Sequence, residues 1–182
     1  YRDGKGVEQD FNKAFEWFTK AAEQGHGEAQ TNLGFMYRDG KGVEQDGKKA
    51  LELFTEAAKQ NNSYGQSGLG HLYLMGWGVP KDYKKAFEWS SRAATDKNNP
   101  FGPLQLGLLY RDGKGVEQDY KKAFEWYTMA ADQGNPFAQS HLGAMYQNGQ
   151  GVEQDGQKAV EWYTKAAEQG HGDSKFSLGA MH

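Results

Sequence analysis

No cysteine occurs in this chain of 182 residues, which excludes a disulfide framework and a thiolate zinc site. No apolar run approaches the length needed to cross a bilayer, so direct membrane insertion is not expected. Neither sign of charge dominates. The 21 basic and 24 acidic residues are interspersed and leave a formal charge of −3. Such a balance supplies no basic field to hold nucleic acid or an anionic membrane. Apolar residues are too sparse for one large core, whereas glycine, at 25 residues, is about twice its usual share. That composition suits small, closely packed helix pairs. The chain starts at Tyr1 rather than Met, so the true start, with any signal peptide, is expected to lie outside it. A cytoplasmic location is the expectation.

What the chain does contain is a repeat. The pattern Tyr-x-x-Gly-x-Gly-Val-x-x-Asp starts at Tyr1, Tyr37, Tyr73, Tyr110 and Tyr146, and a sixth copy begins at His182, giving spacings of 36, 36, 37, 36 and 36 residues. The period covers the whole chain as a single array with phases 1–36, 37–72, 73–109, 110–145 and 146–181, incomplete at both ends. No stretch is left for a separate catalytic domain.

Each unit reads as two helices. Asp10, Asp46, Asp82, Asp119 and Asp155 are N-cap candidates, because a carboxylate there accepts from free amides of the first turn. The helix that follows, B, carries Ala14, Trp17, Ala21 and Ala22 at helical spacing, widened by Phe11, Phe15 and Phe18, and Gly25 supplies a left-handed stop. A second helix, A, is expected from about Glu28, with Ala29, Leu33, Met36 and Tyr37 on one face. Asn99 and Asn135, each followed by proline, read as N-caps with proline at the first helical position. Gly34, Gly70, Gly107, Gly143 and Gly179 recur inside helix A, where glycine costs about 1 kcal/mol relative to alanine. Close helix contact is the expected reason. Glu16 with Lys20, Glu88 with Arg92, and Glu161 with Lys165 read as i,i+4 pairs worth about 0.3–0.5 kcal/mol each. The fold class is all-α, an α-solenoid of antiparallel helix pairs.

From Ala29 to Ala58 the chain reads Ala-x-x-x-Leu-Gly-x-x-Tyr-x-x-Gly-x-Gly-Val-x-x-Asp-x-x-Lys-Ala, followed by the Ala57-Ala58 pair. This pattern resembles the Sel1-like repeat, a relative of the tetratricopeptide repeat, along the full chain. Leu53 departs from it, standing where Trp17, Trp89, Trp126 and Trp162 stand elsewhere. The resemblance implies a right-handed superhelix and an adaptor or scaffold role in protein complexes. It implies no catalytic residue.

Motifs that suggest chemistry dissolve on inspection. Gly4-Lys5-Gly6 and its copies lie between helices rather than after a strand, unlike a nucleotide loop. Asp39-Gly40-Lys41-Gly42 places Phe35 and Tyr37 where a calcium loop needs ligands. His26, His71, His141 and His171 show no pair one helical turn apart as a metal site would. Asn61-Asn62-Ser63 is a short glycosylation match of the kind chance produces. No cofactor or metal is expected, and no acid, base and nucleophile set can be assembled.

The helix A side opposite the Leu33 stripe is the candidate interaction surface. It carries Phe35 and Arg38 in the first A helix, Tyr64, His71 and Leu74 in the second, and Phe101, Leu104, Leu108 and Arg111 in the third, then Phe137 and Phe176. Two readings stand: a concave groove for a protein or peptide partner of unknown identity, or packing between neighbouring A helices. Trp77, where other units have lysine or glutamine, is either an exposed loop anchor or a ring folded back to fill the space left by Ser90. The incomplete ends suggest head-to-tail association of the fragment. The expectation is therefore a noncatalytic scaffold. The alternative is a regulatory or targeting segment of a larger enzyme.

Overall fold

The computed structural model describes residues 10–181. The B helices are α1 (Phe11–Glu23), α3 (Gly47–Lys59), α5 (Tyr83–Ala93), α7 (Tyr120–Asp132) and α9 (Gly156–Glu168). They alternate with the A helices α2 (Gly27–Asp39), α4 (Ser63–Met75), α6 (Phe101–Asp112), α8 (Pro136–Asn148) and α10 (Gly172–Met181). No strand occurs among the described residues. The fold is an all-α solenoid of helix pairs. It divides into two compact units, one ending at Ala93 and the other starting at Ala94.

All five predicted caps form. Asp10, Asp46, Asp82, Asp119 and Asp155 each accept a backbone amide of the following turn, at 2.9 to 3.0 Å. Helix A starts one residue before the expected Glu28. Asn135 caps α8 by accepting from the amides of Phe137 and Ala138, with Pro136 in the first turn. At α6 the boundary shifts: Pro100 precedes the helix, and Asn99 accepts from Phe101 N at 3.0 Å.

The loop motif is a joint between helices. Its first glycine, Gly40 in the first fully described copy, ends helix A in the left-handed region with φ 67°. The second, Gly42, lies so close to the start of α1 that an added Cβ would sit 2.5 Å from the Phe11 carbonyl oxygen. The glutamine closes the end of helix A: Gln45, Gln118 and Gln154 donate from Nε2 to the carbonyls of Arg38, Arg111 and Gln147 at 2.7, 2.7 and 2.8 Å. These carbonyls would otherwise lack intrahelical partners. The motif's tyrosines then receive cations from the next helix, Lys49 over Tyr37, Lys85 over Tyr73, Lys122 over Tyr110 and Lys158 over Tyr146, at 5.0 to 5.3 Å.

Each unit has its own core. In the first, Ala50, Phe54, Ala58, Leu69 and Leu72 are buried, with Phe35, Tyr37, Leu51, Trp77, Val79 and Trp89 packed on them. In the second, the buried set is Ala123, Tyr127, Ala130, Ala131, Ala138, Leu142 and Met145. The helix A glycines Gly34, Gly107 and Gly143 make room for a ring of the following B helix. A Cβ on Gly34 would lie 2.7 Å from Phe54, and one on Gly143 would lie 2.8 Å from Tyr163. Burying such a ring stabilises by about 1.5–3 kcal/mol, which exceeds the helical cost of the glycine. Close contact is thus the reason for the interior glycine at Gly34, Gly107 and Gly143.

The expected i,i+4 pairs on helix B need correction. Lys20 lies over the Trp17 ring at 4.6 Å and Lys165 over Trp162 at 4.1 Å, each stacking on the tryptophan three residues earlier rather than pairing with Glu16 or Glu161. Arg92 lies likewise over Trp89 at 4.7 Å. Trp17 is itself 58% exposed, and an aromatic face in that setting still attracts the cation while covering its long aliphatic stem.

Candidate functional site

The helix A surface is built differently in the two units. In the first, Phe35 is half-buried, edge-on to Phe54 at 5.0 Å, and Arg38 lies over the Phe35 ring at 4.8 Å. Arg38 donates twice to the neighbouring Asp39, at 2.6 and 3.1 Å. Tyr64, His71 and Leu74 are half-buried. Burial, reinforced by the Arg38 charge, pulls His71 down to about 4, so its imidazole is neutral near pH 7. Trp77 is half-buried against the Phe54 cluster, beside the start of α3.

In the second unit the surface is openly apolar. Phe101 is 40% exposed, Phe137 55% and Phe176 80%, all on A helices. Leu104 and Leu108 are half-buried and pack on the cluster around Tyr127 and Leu142. Tyr64, Phe101 and Phe137 share one register, six residues before the interior glycines Gly70, Gly107 and Gly143. Phe137 meets His171, at the start of the next A helix, edge to face at 5.0 Å.

Arg111 occupies the register of Arg38 and behaves similarly. Its Nε donates to Asp112 at 2.7 Å, and Asp112 also receives Lys114 at 2.8 Å. Both bonds hold the Asp112 carboxyl below its usual range, Arg111 first. His141, from α8, places Nδ1 3.5 Å from Arg111 Nη1 and stacks on the Tyr127 ring with centroids 4.7 Å apart. Burial first, then the Arg111 and His171 charges, lowers His141 to about 4.

Sequence reasoning missed Tyr127, Asp112 and the role of His141. The available signal was positional: Tyr127 stands where Phe18, Phe54, Ser90 and Tyr163 stand in the other B helices. Among the described residues no group of three His, Asp or Glu side chains is placed to hold a metal. No helix there is long and apolar enough to cross a membrane.

Comparison with known proteins matches this architecture. The Sel1 repeat model matches residues 1–26, 27–62, 63–98, 104–135 and 136–171. A crystal structure of a protective antigen from uropathogenic Escherichia coli strains, with an SLR fold, is similar at 40% identity and a TM-score of 0.75 over 100% of this chain, which spans 38% of that protein. A Sel1 repeat protein from Oxalobacter formigenes is 39% identical, with a TM-score of 0.83 over 100% of this chain and 74% of that one. An immunity protein from Pseudomonas aeruginosa is 28% identical, with a TM-score of 0.65, covering 91% of this chain and 61% of its own. No curated protein matches the chain.

Proposed function

The chain belongs to the Sel1 repeat family, and we propose that it is a noncatalytic scaffold that binds a protein or peptide through the exposed faces of its A helices. Sel1 repeat proteins generally mediate protein–protein interaction, and the family is generally noncatalytic. The observation that carries the reading here is the exposure of Phe101, Phe137 and Phe176, which are 40%, 55% and 80% accessible. Large aromatic side chains left in water on the variable face of a repeat array are characteristic of a surface that becomes covered on binding.

In this reading Phe137 and Phe101 are apolar anchors in the second unit, with half-buried Leu104 and Leu108 forming the floor beside them. Phe35, Tyr64, His71 and Leu74 form the corresponding surface of the first unit, with Arg38 at its edge. The test is capture from source lysate by the chain and by a Phe101→Ala, Phe137→Ala variant. A protein retained by the former and lost from the latter supports the reading, provided the variant keeps its helical circular dichroism and melting temperature. Equal capture by both removes the anchors from the account.

A further inference from the structure

Four register positions in this chain form an internal series. The A helix residue four after the interior glycine is Arg38, Leu74, Arg111 or Gln147, and the B helix ring position after it is Phe54, Ser90, Tyr127 or Tyr163. Only the last two repeats place a phenol there. In the last, the Tyr163 hydroxyl donates to Gln147 Oε1 at 2.9 Å. In the third, arginine stands where that acceptor would be, and the buried Tyr127 hydroxyl has no hydrogen-bond partner. Leaving such a group buried and unpaired is destabilising, because its bond to water is lost and not replaced.

The surroundings of Tyr127 contain donors in excess. Arginine only donates, so Arg111 Nη1 near His141 Nδ1 requires that nitrogen to accept, which puts the imidazole proton on Nε2. Arg111 commits Nε to Asp112 and leaves Nη2 without a partner among the described residues. The Tyr127 O–H is buried without an acceptor, and neither His141 Nε2 nor Arg111 Nη2 has a protein acceptor among the described residues. The local charge has the same sign, since two cations, Arg111 and Lys114, share the single carboxylate of Asp112.

We propose that Arg111, Tyr127 and His141 form a carboxylate-binding subsite, which takes an acidic side chain of the partner peptide docked on the α6–α8 face. This rests on the protein-binding reading above and names the partner's chemistry. A carboxylate supplies two acceptor oxygens and no donor, which is what the cluster lacks. Arg111 is the mobile element: its side chain is 32% exposed. It can leave Asp112, because Lys114 remains on that carboxylate at 2.8 Å. His141 stays neutral through the physiological range, so it donates from Nε2 without adding a charge that would repel Arg111. The first unit lacks this subsite: Phe54 carries no hydroxyl, and Gly68 stands in the register of His141.

The chain itself supplies the test variants. Tyr127→Phe copies Phe54, and Arg111→Gln copies Gln147, so both side chains already fold in this architecture. The probes are acetyl-Phe-Glu-amide, its acetyl-Phe-Gln-amide counterpart and acetyl-Phe with a free carboxylate, titrated while the His141 ring signal is followed by NMR. The expected result is a saturable His141 shift with the Glu probe, none with the Gln probe, and binding at least tenfold weaker in both variants. Each variant should also melt higher than the parent, since one removes the orphan hydroxyl and the other gives it an acceptor. Binding of the free-carboxylate probe in place of the Glu probe would assign the same subsite to a chain terminus. Equal shifts with the Glu and Gln probes, or binding unchanged in both variants, would overturn the subsite. If the lysate partner is still lost on Phe101→Ala, Phe137→Ala, the scaffold reading survives that failure.

Discussion

A Cβ added to Gly107 would sit 2.5 Å from the Tyr127 ring, so the glycine of α6 is a contact surface for the B helix that follows. Gly107→Ala should destabilise even though alanine is the better helix former, because overpacking against a fully buried ring costs about 1–3 kcal/mol. Gly179 is the control. It has the same register in α10, yet nothing lies within 4 Å of its Cβ position. Gly179→Ala should be neutral or stabilise by up to about 1 kcal/mol. Thermal unfolding of the two variants checks both signs.

Gln60 and Gln169 donate to Gln30 and Gln139, each 30 residues earlier, at 2.9 and 2.7 Å. The same interval from Gln133 leads to Pro103, which has no side-chain donor or acceptor, and Gln133 Oε1 is buried without a partner. Gln133→Met should therefore be neutral or stabilising. Gln60→Met should cost about 1–2 kcal/mol by leaving Gln30 Oε1 without its donor. Urea unfolding midpoints of the two variants should move apart in that order.

The two half-buried histidines, His71 and His141, impose an acid limit. Both have folded-state values of about 4 against an ordinary 6.5, so the unfolded chain binds more protons between those values. Their contribution is fully present above pH 6.5 and is lost as pH falls towards 4, on the order of 1–3 kcal/mol per histidine. Replacing His71 by phenylalanine and His141 by asparagine, the residues found in those registers at Phe35 and Asn32, should flatten stability across this window. Chemical denaturation at pH 7 and pH 4.5 makes the comparison.

Trp77 packs half-buried on the Phe54 cluster. Truncating a partly buried indole should lower stability by about 1–3 kcal/mol, below the value for a fully buried ring. If Trp77→Ala instead leaves the melting temperature unchanged and abolishes partner capture, the side chain acts as an anchor.

The repeat frame was legible because its determinants are local. Each capping aspartate contacts an amide two or three residues on, and each left-handed glycine ends its own helix. The pairing of the interior glycines with Phe54, Tyr127 and Tyr163 was legible only as a need for close contact, since the partner ring lies some twenty residues later. Cation placement was misread: Lys20 and Lys165 have a carboxylate at i−4 and an indole at i−3, and spacing alone does not weigh a ring face against an exposed charge. The cluster at Tyr127 was hidden for another reason. Arg111 and His141 are 30 residues apart, and only the packing of α6, α7 and α8 brings them onto one phenol. The orphan hydroxyl emerges only when each repeat is compared with its neighbour in three dimensions.

The most direct measurement is site-specific photocrosslinking in source lysate, with a benzophenone side chain placed at Phe137 on helix A and, separately, at Glu125 on the exposed side of helix B. The account predicts a discrete covalent adduct with one protein from position 137, competed by unlabelled chain, and none from position 125. An adduct from position 125 alone, or no competed adduct from position 137 while another surface yields one, would contradict binding through the helix A face.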